Sequence, residues 1–328
     1  MTEDAAARSR PGDAAPRSKR RLIAIVAVAV IGLSIFYAAS IRSPASTGKP
    51  IDFEPSLPEP ADAVGPASLR LVSFNIHSGK PPGGSVDLAG TAAVLKPVCV
   101  GGDAGVVVSL NEVRNPLFGP HQAAELTTAI GDRFSSAFLP TERRWFRNHF
   151  GNALLADTPA GAVLVRRLPS TGTKGFRVWA TTGARLGDQV VSLFTTHVDS
   201  RGDRDRQLEI VTAIFLNAVP PAAVVGDFNA PPDHPLLTAM RESSPDVFDA
   251  LADADGLDAY PDHIDHIIVR GLQVTDAAIV ANDASDHPLV WADVRLPTFD
   301  AGDTDEAGDA DGRPAGADAA VSPAGDGP

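Results

Sequence analysis

Short apolar runs recur between Leu69 and Leu296: LRLVSFNI (69–76), VVVSL (106–110), VVSLFTTH (190–197), AAVVG (222–226), IDHIIV (264–269) and LVWADVRL (289–296). Their length and their wealth of Val, Ile, Leu and Phe predict strands. Segments with helical spacing alternate with them. Leu126 and Ile130 share one face of a helix near 122–130, and Leu208, Val211 and Phe215 share one face near 204–217. In DHPLLTAM, Asp233 is placed to cap a helix with Pro235 close to its first turn. No repeat of solenoid length is present. The alternation predicts a layered α/β domain over residues 69–297, a length that one large domain accommodates.

The flanks read differently. LIAIVAVAVIGLSIFYAASI, Leu22 to Ile41, is a 20-residue uncharged run, long enough at ~1.5 Å per residue to cross a ~30 Å hydrocarbon core. It predicts one transmembrane helix. Arg8, Arg10, Arg17, Lys19, Arg20 and Arg21 precede it and only Arg42 and Lys49 follow closely. The positive-inside bias therefore places residues 1–21 in the cytoplasm and everything after Ile41 outside. A cleaved signal peptide is the rival, with small residues at Ala38, Ala39 and Ser40, but the run exceeds the roughly 7–15 residues of such a core. Residues 42–68 mix Pro, Ser and acidic residues without apolar period and predict an extended linker holding the domain off the bilayer. Residues 298–328 have almost nothing to bury and repel themselves, which predicts a disordered acidic tail.

Charge and cysteine content narrow the possibilities. The formal charge is −13, of which −7 lies in residues 299–328 and −7 in residues 69–298. This distribution does not support a broad basic face that binds nucleic acid through its backbone charge, though locally steered contacts remain open. The single cysteine, Cys99, allows no internal disulfide and no cysteine zinc cluster. Stability must come from a packed core.

Polar residues collect where the predicted strands begin or end: Asn75, Glu112, His197, Asp227 with Asn229, and Asp286 with His287, while Asp265 lies inside IDHIIV. Singly, each reads more readily as a turn residue or a solvated charge than as a functional group. Jointly, they can converge on one cleft, because strand ends are where loops build sites in alternating α/β layers. His266 points away from Asp265 in a period-2 strand and is excluded from that cleft. The three tryptophans read as core.

These residues sit in motifs that resemble the endonuclease/exonuclease/phosphatase superfamily. The similarity runs through SFNIH (73–77), VVSLNEV (107–113), HQAAELTTAIG (121–131), FGNALLA (150–156), FTTHVDSRGDRDRQ (194–207), VVGDFNAPPDHPLL (224–237), HIDHIIV (263–269) and SDHPLVWADV (285–294). GDFNA and SDHPLV are the most specific in this order and spacing. The resemblance implies a four-layered α/β sandwich of two packed β-sheets flanked by helices, here preceded by the transmembrane helix. It also implies that Glu112 binds a divalent metal, helped by Asn75 and Asp286. Asp227 and Asn229 would position the attacking water and the phosphate. His287 would act as base, oriented by Asp265, and His197 would stabilise or protonate the phosphoryl oxygens. Asn152 would contact the substrate phosphate. Four carboxylates in one cleft repel one another unless a hard cation is present, and oxygen ligands suit Mg²⁺, Mn²⁺ or Ca²⁺.

Departures from the pattern are visible. Related sequences often carry Ser-Arg after the GNA-type strand, whereas FGNALLA runs into Asp157. Arg143, Arg144, Arg147 and Arg166 are the nearest replacements for that phosphate-binding arginine. Asn111 stands before Glu112 where glutamine is more usual, and the stretch from Asp249 to Tyr260 is short.

The expectation is thus a membrane-tethered, extracytoplasmic, metal-dependent phosphoester hydrolase. Its substrate would be nucleic acid, a phospholipid head group or a small phosphoester, and no protein partner is inferred. No apolar insertion loop stands out for a lipid substrate. The alternatives are a phospholipid phosphodiesterase of sphingomyelinase type and an inactive envelope protein that binds a phosphate-bearing partner.

Overall fold

The computed structural model describes residues 17–40, 42–61, 63–144, 149–171 and 175–298. The chain divides into two units, Met1–Leu296 and Pro297–Pro328. Only residues 297 and 298 of the second are described, so the predicted acidic tail lies outside the described residues.

Two mixed sheets of seven strands carry the first unit. One runs β1 (Arg42–Pro44), β5 (Ser135–Arg144), β6 (His149–Ala156), β4 (Gly105–Asn115), β3 (Leu69–Asn75), β14 (Leu289–Arg295), β13 (Gln273–Val280) in spatial order. The other runs β11 (Val247–Asp249), β12 (Asp265–Arg270), β10 (Ala222–Asp227), β9 (Gln189–His197), β8 (Val178–Leu186), β7 (Val163–Arg167), β2 (Pro50–Ile51). The β3–β4 and β9–β10 pairs are parallel and the remaining pairs antiparallel. Five α-helices accompany them among the described residues: α1 (Arg17–Ser40), α2 (Leu88–Cys99), α3 (Gln122–Ile130), α4 (Arg204–Leu216) and α5 (Pro235–Glu242).

Period-2 alternation explains how the layers stack. In β3, Leu69 and Leu71 face the second sheet, while Val72 and Phe74 face α2 and α3. In β10, Ala223 and Val225 face the first sheet, while Ala222 and Val224 pack under α4 and α5 with Leu208, Phe215, Leu237 and Met240. Three apolar cores therefore separate four layers: helices, sheet, sheet, helices. The four-layered sandwich expected from the sequence is present. Fully burying a large side chain such as Phe74, Phe215 or Phe228 stabilises this arrangement by roughly 1.5–3 kcal/mol each.

Four expectations change. His234, not Asp233, caps α5: its Nδ1 accepts from the Leu236 amide at 3.3 Å. α2 was not predicted from the sequence, and Pro97 lies in its last turn.

The segment 42–54 is not a free linker. It forms β1 against β5 and β2 against β7, and it buries Ala45 and places Phe53 in the core between the sheets. Its few apolar residues are spaced to reach a sheet edge rather than to repeat, which is why no periodicity marks them. The transmembrane helix, finally, is not supported by the described residues. α1 is helical through Ser40, but residues 35–40 are described in backbone only and Ile41 lies outside the described residues. No helix among the described residues is long and apolar enough to cross a membrane.

Candidate active site

The core between the sheets turns polar at one end. On β3 the inward series Leu69, Leu71 continues as Ser73 and Asn75; on β4, Val107 is followed by Ser109 and Asn111. On β9, Val191 and Leu193 lead to Thr195 and His197; Asp227 ends β10 and Asp265 begins β12. All these polar residues are buried. A buried polar group needs a partner, and here most partners come from the opposite sheet. Asn75 Nδ2 donates to Asp227 Oδ2 at 3.0 Å. Asn111 Oδ1 accepts from the Asp227 amide at 3.1 Å, and its Nδ2 donates to the Thr196 carbonyl at 3.2 Å. The Ser109 and Thr195 hydroxyls hydrogen-bond across the same gap.

Asp227 is the hub. Its Oδ2 lies 3.3 Å from His197 Nε2 and 3.9 Å from His287 Nε2, and its Oδ1 accepts from the Asn229 amide at 2.9 Å. Gly226 makes this position possible. A Cβ there would fall 2.0 Å from the Thr196 carbonyl oxygen, at a φ of +147°, so only glycine lets β10 approach β9 this closely before the aspartate.

His287 enters from the loop before β14. Its Nδ1 is 2.7 Å from Asp265 Oδ2, and its Nε2 is 3.4 Å from Asn75 Nδ2. The loop is fastened from within: Asn282 Oδ1 accepts from the Ala284 and Ser285 amides at 3.0 and 3.1 Å, and Ser285 Oγ donates to the Asn75 carbonyl at 2.6 Å.

Electrostatics follow from burial and these contacts. Burial lowers the affinity of His287 for a proton, yet the Asp265 hydrogen bond and the charges of Asp265, Asp227 and Asp286 outweigh it, and the pKa rises to about 9. Burial, with the charge of Asp265, raises the carboxyl of Asp227 above the ordinary range. His197 is held well below the ordinary imidazole value by burial first, then by Arg177 and His287.

Backbone strain concentrates at the same place. Among the described residues, the non-glycine residues with positive φ are His77, Ser78, Glu112 and Asn229. All of them adjoin this cluster in sequence, and strained backbone persists where surrounding structure enforces it, often at functional sites. Glu112 sits at a register shift of β4 against β6, between Leu110 and Val113.

The sequence-predicted residues thus fall into three groups. Asn75, His197, Asp227, Asn229, Asp265 and His287 are joined by the contacts above. Glu112 and Asp286 lie at the rim: Asp286 is half exposed, 3.5 Å from His77 Nδ1, and the Glu112 charge acts on Arg114 and Arg177. Asn152 is buried in β6 with its Nδ2 unpartnered. His266 points away as expected, bonding the Ala230 carbonyl at 2.8 Å.

The replacement arginines are otherwise engaged. Arg144 pairs with Glu142, Arg143 reaches Ser46, Arg166 bonds a backbone carbonyl, and Arg147 lies outside the described residues. Sequence reasoning missed Asn111, Ser285, Asn282 and Arg177. The loop after β4 also exposes Leu117 and Phe118, by 60% and 86%, an apolar tip that sequence reasoning did not single out.

Asp227, Asp265 and His287 each offer a ligand atom, all within 4.8 Å of one another. Asp265 Oδ1 is buried without a hydrogen-bond partner. The carboxylates here, with Asp286 acting on His287 and Glu112 on Arg177, make an oxygen-rich group that fits a hard divalent cation, which leaves His287 for proton transfer.

Residues 72–287 match the endonuclease/exonuclease/phosphatase family. The chain belongs to that family. No curated protein matches the sequence. Among solved structures, an endonuclease/exonuclease/phosphatase from Beutenbergia cavernae is 24% identical, over 70% of this chain and 72% of that one, with a TM-score of 0.56. A mannosyl-6-phosphatase from Bacteroides thetaiotaomicron is 15% identical, over 70% and 100%, with a TM-score of 0.54. ANGEL2, a 2′,3′-cyclic phosphatase, is 13% identical, over 70% and 96%, with a TM-score of 0.53. The family match ends at His287, and β14 completes the first sheet beyond it.

Proposed function

We propose that this protein is a divalent-metal-dependent phosphoester hydrolase, tethered to a membrane by its N-terminal helix with the catalytic domain outside the cytoplasm. One observation carries the hydrolytic reading: the His287–Asp265 contact at 2.7 Å, with Nε2 turned toward Asp227 and Asn75. Asp265 holds the proton on Nδ1; once the carboxylate charges that keep His287 protonated up to about pH 9 are offset by a bound cation, Nε2 is left to take a proton from water. Asp227 and Asn229 position that water and the phosphate. His197, whose Nε2 lies 3.3 Å from Asp227 Oδ2, would stabilise or protonate phosphoryl oxygens held beside Asp227, and the unpartnered Asn152 amide supplies a further donor. Glu112, Asn75 and Asp286 would hold the cation, Mg²⁺ in the first instance with Mn²⁺ and Ca²⁺ as alternatives. When bound, it would offset the carboxylate charge and polarise the phosphoryl group. Calorimetric titration with Mg²⁺ or Mn²⁺ tests the assignment: Glu112→Gln weakens binding, and unaltered affinity would move the metal elsewhere.

Two structural neighbours are a mannosyl-6-phosphatase and a 2′,3′-cyclic phosphatase, which supports phosphoesters as the substrate class and goes no further. The test is a panel of bis-aryl phosphate, aryl phosphate, DNA, RNA and sphingomyelin with Mg²⁺, Mn²⁺ and Ca²⁺. Chelator-sensitive release from at least one is expected; none from any would contradict the reading. The exposed Leu117 and Phe118, a few residues after Glu112, favour a phospholipid as the second reading. In that case Phe118→Ser weakens binding to phospholipid vesicles and leaves hydrolysis of the soluble aryl phosphate intact.

The membrane tether rests on the uncharged run 22–41, the basic residues before it, and the exposed apolar side chains of α1 such as Ile23, Val28 and Leu33. Protease added to intact cells then degrades the domain and leaves a short N-terminal fragment. Full protection would refute this topology, and release of soluble protein beginning near Ser40 would indicate a cleaved signal instead.

A further inference from the structure

Arg177 precedes β8 and is tied into the fold through its backbone, its carbonyl accepting from the Leu168 amide at 2.9 Å. The neighbouring Phe176 amide donates to Glu142 Oε1 at 3.2 Å, which pins the loop across to the first sheet. The guanidinium reaches the site. Its Nη1 lies 2.9 Å from His197 Nδ1, and its Nε is buried without a hydrogen-bond partner. No carboxylate among the described residues stands within ion-pair distance of it, although Asp227, Glu112, Asp199 and Glu142 lie close enough for their charges to act on it.

Such an arrangement is costly unless something else completes it. A half-buried cation without an ion-pair partner loses part of its hydration and regains little, and a guanidinium fork matches a phosphate oxygen in charge and geometry. The contact also fixes His197. Guanidinium nitrogens only donate, so Nδ1 must carry the lone pair and Nε2 the proton, and Nε2 faces Asp227 Oδ2 at 3.3 Å.

We propose that Arg177 is the phosphate-binding arginine of this site, bonding a non-bridging phosphoryl oxygen while it holds His197 with its proton on Nε2. It takes the place of the arginine missing after FGNALLA, from the opposite sheet. The role rests on the phosphoester reading of the same site, deepens it to a named anion contact, and makes Arg177 a catalytic residue because it touches the substrate.

Calorimetric titration of the Mg²⁺-supplemented chain with inorganic phosphate tests this directly and does not depend on turnover. Arg177→Gln is expected to weaken phosphate binding roughly 10–100-fold, the worth of one charge-assisted hydrogen bond. Its thermal midpoint is expected to be unchanged or higher, since a half-buried charge without an ion-pair partner is removed. Arg177→Lys retains the charge without the fork and falls between. Phosphate affinity within two-fold of wild type in a folded Arg177→Gln, with a lowered midpoint, would make Arg177 a structural strut and overturn the proposal. Wild-type chain that binds phosphate through Arg177 but hydrolyses no phosphoester would instead contradict the hydrolase reading and leave the anion contact standing.

Discussion

At the scale of residues, the site is a set of opposed proton affinities. The imidazole of His287 is raised to about 9 from an ordinary 6.5, and Asp227, whose ordinary value is 3.8, is also raised. A group whose folded pKa exceeds its unfolded value contributes stability that is complete below the unfolded value and lost as pH rises through the folded one. For His287 that window runs from about 6.5 to about 9, and Asp227 acts in the same direction from lower pH. Chelator-treated protein should therefore lose thermal stability as pH rises across this range, and His287→Gln should flatten the upper part of the slope. A midpoint independent of pH in that window would show that the raised imidazole does not exist in solution. Asp227, Asp265 and His287 were legible in the sequence because they sit at or near predicted strands within the GDFNA, HIDHIIV and SDHPLV motifs that carry the resemblance. Arg177 was not: it precedes a strand, belongs to no motif, and acquires meaning only when β8 brings it beside His197.

At the scale of elements, the sheets are locked together where the site forms. Asn111 satisfies an amide and a carbonyl of the second sheet from within β4. Asn111→Ala should leave both unpaired in a dry environment, at a cost of roughly 1–3 kcal/mol for each, measurable by denaturant unfolding. A loss below about 0.5 kcal/mol would mean that water enters the gap. In the sequence Asn111 read as a departure from the more usual glutamine; the clue available was its place in the series Val107, Ser109, Asn111.

The domain boundary was the less legible feature. Composition put the start of the fold at Leu69, whereas Phe53 is buried between the sheets and β1 and β2 extend their edges. Pro-rich edge segments carry no period to read. Phe53→Ala should cost about 3–5 kcal/mol, and a chain starting at Leu69 should be less stable than one starting at Arg42. Equal thermal midpoints for the two would restore the sequence-based boundary.

At the scale of the whole molecule, four layers place two polar strand-end series face to face, and the cluster is the outcome. The motifs of the family-matched region, residues 72–287, specified the layers through the resemblance they carry, since periodicity alone left α2 and several strands unmarked. They could not specify how the flanks pack. Residues acting as one catalytic unit are not additive, so Asp265→Asn should lower turnover in the same direction as loss of His287, and the double variant should be no worse than about the more damaging single one.

The most direct test of the central claim is the turnover of His287→Ala on the best phosphoester of the panel, with saturating divalent metal and normalised to folded protein. The Asp265-paired imidazole as water-activating base predicts a fall of roughly 10²–10⁴-fold in kcat with KM little changed. Full turnover in a folded His287→Ala would contradict it.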